Sequence, residues 1–523
     1  FVGACTPAAD HTQQTELTPQ HDYTAHDWVA KTLPELSSAL QKGEISAEDL
    51  TKAYLARIEA IDRAGPGLQS VLAVNPDALA QAKALDARRA RGETLGPLHG
   101  IPVLLKDNIE TKDNMATTAG ALALKDNITG RDSPLVAGLR DAGAIILGKT
   151  NLSQWANFRS ESSMSGWSAL GGQVRNPHML DRNTCGSSAG SGAAMAASLA
   201  AGTVGTETNG SIICPSTING VVGFKPSVGL VSQQYIIPIS SSQDTAGPMT
   251  KTVKGAAMML GAMAGGAAKT DYVSGLDAGA LKGVRLGVMR FSQGENAQIL
   301  ARFNTALKDL EKAGAILVDI DEFEPVNTGS QSYDVLKYEF KSTLNAYLAD
   351  AAPAVQTRTL ADLIAFNKDH ADVELSLFDQ SIFVASQALG DLNTPAYKDA
   401  LVAVHKATRE QGIDALLAKY DVRALVGPSG PVAGRVDPIN GDLWPDWAGS
   451  GSMAAIAGYP HLTIPMGDIH GLPIGLSIMG AMNADAQILA YGYAYEQNSH
   501  RRVDPKYLKT AEDRPEIAKA MRP

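Results

Sequence analysis

The 523-residue sequence predicts an α/β fold built as one large domain behind a short N-terminal tail. Three observations carry this. Segments of helical periodicity alternate with short apolar runs of strand length. Hydrophobic residues make up 44% of the chain and charged residues 19%, a globular balance that excludes a disordered chain. No internal repeat or low-complexity linker follows the first 22 residues or so.

The tail comes first. Phe1-Val2-Gly3-Ala4-Cys5 sets an apolar residue and two small residues before a cysteine, as in the cleavage box of a bacterial lipoprotein. Thr6 to Gln20 is polar and without apolar period, which suits a tether. Residues 1–22 are therefore expected to be a tether lipidated at Cys5, and residues 23–523 a periplasm-facing domain. From Asp27 to about Arg63 the pattern is helical, with Ser46 as an N-cap and Leu50, Tyr54, Ile58 and Ile61 on one face. Pro76 to Arg91 reads as a further helix, closed by Gly92. Ile101–Leu105 and Ala144–Leu147 read as buried strands, and Ala193 to Ala201 as a helix.

Composition excludes several function classes. The 45 Lys+Arg against 55 Asp+Glu leave a net charge of −10, so no basic excess exists to bind a nucleic-acid backbone. No apolar run reaches the roughly 18–20 residues of a membrane span. Three cysteines and ten scattered histidines show no zinc spacing, and neither a metal nor an organic cofactor is expected.

Two short motifs match by letters only. Gly143-Ala144-Ile145-Ile146-Leu147-Gly148-Lys149-Thr150 fits a P-loop, but Ala-Ile-Ile-Leu is strand material, not a phosphate loop. Gly186-Ser187-Ser188-Ala189-Gly190 fits a nucleophile elbow, but no strand-like residues precede it.

The segment Thr184 to Val231 is the informative one. It holds Cys185-Gly186-Ser187-Ser188-Ala189-Gly190-Ser191-Gly192, then Gly205-Thr206-Glu207-Thr208-Asn209-Gly210-Ser211-Ile212, then Gly220-Val221-Val222-Gly223-Phe224-Lys225-Pro226. Dense Gly and Ser let backbone N–H groups approach and face an anion. With His99-Gly100-Ile101-Pro102-Val103-Leu104-Leu105-Lys106 upstream and Gln243-Asp244-Thr245-Ala246-Gly247-Pro248 downstream, this resembles the amidase signature family over roughly residues 27 to 500. Within it, Leu147 to Arg159 and Ser211-Ile212-Ile213-Cys214-Pro215 look most like the bacterial peptide amidases.

The resemblance implies a central mixed, twisted sheet covered by helices on both faces. Its core signature would span about 95–255, and a variable region over about 270–440 would build much of the substrate cleft. It also implies hydrolysis of carboxylic amides, C-terminal peptide amides above all, to acid and ammonia. Ser211 would be the nucleophile, Ser187 a hydroxyl relay after a cis bond from Gly186, and Lys106 the base. Backbone N–H groups of Thr208, Asn209, Gly210 and Ser211 would hold the oxyanion. Ser188 would support the site or cap the following helix. Lys106 can be a base only if burial keeps its amine neutral. Ile213 stands where many members carry Arg, and Asn209 where glycine is usual. Cys185 and Cys214 flank the proposed site; a periplasmic setting would let them pair, and buried free thiols are the favoured expectation, with Trp155, Phe158 and Trp167 as pocket candidates. Asp244 is expected to be structural or to face substrate. The rival readings are the amidase subunit of a tRNA-dependent amidotransferase, which shares Ser211, Ser187 and Lys106 and against which Cys5 and Ile213 speak, and a lipid or aryl acyl amidase; the presence of all three catalytic-type residues speaks against a catalytically dead binding protein on this scaffold. The substrate is expected to be a small molecule or short peptide amide, with the oligomeric state left open.

Overall fold

The computed structural model describes residues 27–522 except 94, 267–269 and 445. The expected tether over 1–22, Cys5 included, lies outside the described residues. Among the described residues no helix is long and apolar enough to cross a membrane.

The first helical region is divided, and its last helix starts at the Ser46 cap as the sequence suggested. It forms Asp27–Ala30, Leu33–Lys42 and Ala47–Arg57, the last running into a wider turn over Ile58–Arg63. Gly43, at φ 72°, ends the second helix in the left-handed region. The Ser46 hydroxyl then restarts the chain by accepting the Asp49 N–H at 2.9 Å. Leu50, Tyr54, Ile58 and Ile61 are all buried, as their spacing requires. The next helix, Ala78–Ala90, starts two residues after the expected Pro76.

Eleven strands form one mixed sheet. From edge to edge they are Val71–Val74, Ile145–Thr150, Pro102–Lys106, Gly202–Glu207, Thr245–Thr250, Val222–Lys225, His461–Ile469, Leu472–Met479, Ala424–Pro428, Arg285–Met289 and Ile316–Ile320. Helices flank it on both faces. Pro102–Lys106 lies parallel to both of its neighbours, Ile145–Thr150 and Gly202–Glu207. All residues of these three strands are buried, the mark of parallel strands covered on both faces. Their common direction brings Lys106 and Glu207 to the same end of the sheet, where α/β proteins place ligands.

The Ala-rich helix runs over Ala189–Ala196, four residues earlier than its composition suggests. It leaves directly from the Ser187-Ser188 turn, and Ser198 at φ 58° follows its end. All eight of its residues are buried. The Ser191 hydroxyl donates to Val204 O at 3.0 Å, which fixes the helix to the neighbouring strand.

Lys149, of the P-loop-like run, lies in the strand Ile145–Thr150 and serves the core. Its ammonium donates to Asp107 Oδ1 at 2.9 Å and Thr117 Oγ1 at 2.9 Å, and both partners of the ion pair are buried. Removing one member of a buried pair strands the other charge, at a cost of about 3–5 kcal/mol. Lys149→Ala should therefore lower the urea midpoint by that equivalent. A loss below about 1 kcal/mol would contradict a structural pair.

Candidate active site

Lys106 ends its strand with its side chain fully buried. Its Nζ lies 2.7 Å from Ser187 Oγ, 2.8 Å from Thr206 Oγ1 and 3.2 Å from Thr206 O. Among the described residues no carboxylate touches it. Burial lowers its pKa to about 7, against a smaller upward pull from Asp244 and Glu207. A neutral amine has two N–H groups and one lone pair. Three contacts match that capacity when Thr206 accepts two hydrogens and the Ser187 hydroxyl donates to the lone pair. Asn108 Nδ2 donates to Thr206 Oγ1 at 2.9 Å and so holds the threonine in place.

The peptide bond Gly186–Ser187 is cis. A Cβ at residue 186 would lie 2.1 Å from Ser153 Oγ, so only glycine fits there. Ser188 stands at the cap position of the following helix, yet its side chain makes no capping bond. Its hydroxyl instead donates to Thr206 O at 3.0 Å and accepts from Thr206 N–H at 3.2 Å. The supporting role is the one observed.

Ser211 closes the turn after the strand Gly202–Glu207. It is 9% exposed and lines a cavity of about 670 Å³. Its carbonyl accepts from Ser188 N–H at 3.2 Å, which ties the two serine segments together. Glu207 Oε2 accepts the N–H groups of Ile212 at 2.8 Å and Ile213 at 3.0 Å. The N–H of Cys214 goes to Gly210 O at 2.8 Å. Among the described residues the N–H groups of Thr208, Asn209, Gly210 and Ser211 donate to no internal acceptor. All four residues line the cavity. Gly210, at φ 82°, makes this turn possible. Lys106, Ser187 and Ser188 thus form one bonded cluster, with Ser211 and the free N–H groups beside it on the cavity wall. Such a cluster can deprotonate a hydroxyl and stabilise an oxyanion.

Comparison with known proteins decides the lineage. A family model described as Amidase matches residues 49–489. The chain belongs to the amidase signature family. It is 37% identical over 499 residues to a probable amidase of Arabidopsis thaliana, covering 91% of each chain. It is 33% identical to a glutamyl-tRNA(Gln) amidotransferase subunit of Halorhodospira halophila, covering 89% of this chain and 97% of that one. Among solved structures, the native peptide amidase from Stenotrophomonas maltophilia superposes with a TM-score of 0.87 at 44% identity, covering 92% of this chain and 99% of that one.

One expectation about this amidase is corrected. Cys185 and Cys214 are not free thiols; they form a disulfide, with their Cα atoms 5.9 Å apart. A separation of 29 residues carried no sign of that proximity. The bond joins the residue before Gly186-Ser187 to the third residue after Ser211.

The aromatic candidates divide. Phe158 lines the cavity and meets Phe340 and Tyr333 edge-on at 5.1 and 5.6 Å. Trp155 packs in the core against Phe383, and Trp167 against Phe378. Asp244 is structural. It accepts the Thr208 hydroxyl at 2.6 Å and the N–H groups of Ile239 and Ser240, which pins the turn beside Ser211. The 270–440 region supplies Val326, Tyr333, Leu336 and Ser429 to the wall. Residues past its expected end, Asp442, Trp444, Trp447 and His461, supply as much.

Sequence reasoning missed Thr206, the second partner of Lys106. Thr206 lies two residues beyond the Leu105–Val204 pair, past the paired stretch of the two strands, so no local pattern marks it. It also missed a chain of hydroxyls that backs the cavity wall at Ser429 and His461. His461 Nε2 meets Ser477 Oγ at 2.7 Å, Ser477 donates to Ser429 at 2.9 Å, and Thr463 donates to Ser429 at 2.7 Å. No local motif links those residues.

Proposed function

We propose that this amidase hydrolyses the C-terminal amides of short peptides to acid and ammonia through an acyl-enzyme. The observation that carries the proposal is the buried, unpaired Lys106 at 2.7 Å from Ser187, beside a turn of free N–H groups that ends in Ser211. The peptide choice rests on the likeness to the Stenotrophomonas enzyme over nearly its full length. A cavity of about 670 Å³ is also the size that takes a small peptide rather than a protein chain.

In this reading Ser211 attacks the amide carbonyl. Its proton passes to Ser187 as the Ser187 proton moves to the Lys106 lone pair. The oxyanion forms against the N–H groups of the 208–211 turn, which the backbone already holds in place. The Lys106 ammonium then returns a proton through Ser187 to the departing ammonia. Water enters along the same relay and releases the acid. No metal or organic cofactor takes part in this scheme.

A dipeptide amide offered beside the matching free-acid dipeptide tests the reaction. Ammonia release from the first and no cleavage of the second are expected; cleavage of the internal bond in either would refute the reading. Ser211→Ala should abolish covalent labelling by a fluorophosphonate. Lys106→Ala should lower amide hydrolysis at neutral pH by about 10²–10⁴.

The same proposal includes a lipid anchor at Cys5 and a periplasmic location. Two features support it: the Phe1–Cys5 box and a disulfide of the kind that persists in oxidising compartments. Expression of the full precursor in a bacterium fed labelled palmitate should give a labelled, detergent-extracted protein, and Cys5→Ser should lose both properties. Equal labelling of the variant would remove the anchor from the proposal.

A further inference from the structure

The cavity beside Ser211 has a one-sided charge. Among the described residues its wall holds two carboxylates, Glu207 and Asp442, and no lysine or arginine. His461, also in the wall, is held neutral because burial pushes its pKa down to about 3. The two carboxylates differ in their surroundings. Glu207 caps the Ile212 and Ile213 N–H groups and lies near the buried amines of Lys106 and Lys225. Its Oε1 is buried without a hydrogen-bond partner. Asp442 accepts Ser165 N–H at 3.0 Å and Asn183 Nδ2 at 2.8 Å, and forms no ion pair among the described residues. Burial raises its carboxyl above the ordinary range, against the pull of the Ser165 hydroxyl, the Ser165 N–H and the Asn183 amide. A carboxylate held by neutral donors alone has no cation to cancel its charge toward the cavity.

The next wall residues on the chain are Trp444 and Trp447, packed edge to face with ring centroids 5.7 Å apart. Trp447 is 50% exposed. Aromatic faces beside a carboxylate attract a cation and tolerate an apolar group, while neither favours an anion. At the rim, Tyr333 reaches another acid, Glu161, at 3.5 Å. Lys337 lies over the Tyr333 ring and is already paired with Asp334 at 2.8 Å. The molecule as a whole carries a net charge of −10, so the long-range field has the same sign.

We propose that this wall selects substrates by charge, taking cationic and neutral peptide amides and turning away acidic ones, with Asp442 as the residue that sets the preference. The proposal rests on the amidase reading of the Ser211 site and adds the substrate class. It also bears on product release. Hydrolysis turns a neutral carboxamide into a carboxylate in a cavity that repels anions, so the acid product leaves.

The test uses N-acetyl dipeptide amides that differ only in carrying Lys, Gln or Glu at either the terminal or the penultimate position. Ammonia release is followed at about 20 mM and about 500 mM NaCl, on either side of effective screening. The expected kcat/KM order at low salt is Lys over Gln over Glu, with Lys ahead of Glu by about tenfold at one position at least. The gap should narrow at high salt, and Asp442→Asn should bring Lys and Glu within about twofold at low salt. The wild-type salt series decides the matter by itself if Asp442→Asn does not fold. Glu matching Lys at both positions at low salt, or a gap that survives Asp442→Asn in the folded variant, would overturn the proposal. If all amides are cleaved alike, charge selection falls and the amidase reading stands. If none releases ammonia, both fall.

Discussion

A lysine amine held out of water with no anion to pair with is the constraint on which the site depends. Lys106 and Lys149 are both fully buried and sit on adjacent strands. Lys149 meets the Asp107 carboxylate and serves as one half of an ion pair. Lys106 meets two hydroxyls and a carbonyl. The fold treats the same side chain in two ways by choosing its partner. Burial pulls the Lys106 amine down to about 7, because desolvation disfavours the ammonium more than Asp244 and Glu207 restore it.

The rest of the architecture holds two hydroxyls in relation to that amine. Parallel strands bring together the ends that carry Lys106 and Thr206, and the lysine reaches Thr206 through its Nζ. Ser188 clamps Thr206 from the other side and takes no part in capping its helix. The Cys185–Cys214 bond and the Ser188-to-Ser211 backbone contact bind the two serine segments to each other. Glu207 and Asp244 take up the neighbouring donors, Glu207 on one flank of the 208–211 turn and Asp244 on the other. The four N–H groups between them are left free to face the cavity.

Much of this was legible in the sequence, and the failures have physical causes. Ile101–Leu105 and Ala144–Leu147 read correctly as strands because buried parallel strands are continuous apolar runs. The family motifs named Lys106, Ser187 and Ser211, and the cis bond before Ser187 was expected from the same likeness. The Ser46 cap was legible as a helix start, while the turn at Gly43 that ends the preceding helix was not singled out. The disulfide was missed because contact between Cys185 and Cys214 arises from sheet and turn geometry, not spacing. Thr206, Asp442 and the His461–Ser477–Ser429 chain come from separate strands and loops. Nothing local in the sequence records that they meet.

The central claim is that the residue-106 amine is neutral at working pH. Its most direct test is an NMR titration of protein labelled with 13C at the lysine ε-carbon, with the Lys106 signal identified by its loss in Lys106→Met. The account predicts a midpoint near pH 7, far below that of exposed lysines in the same spectrum. A Lys106 signal that titrates together with the exposed lysines would contradict it.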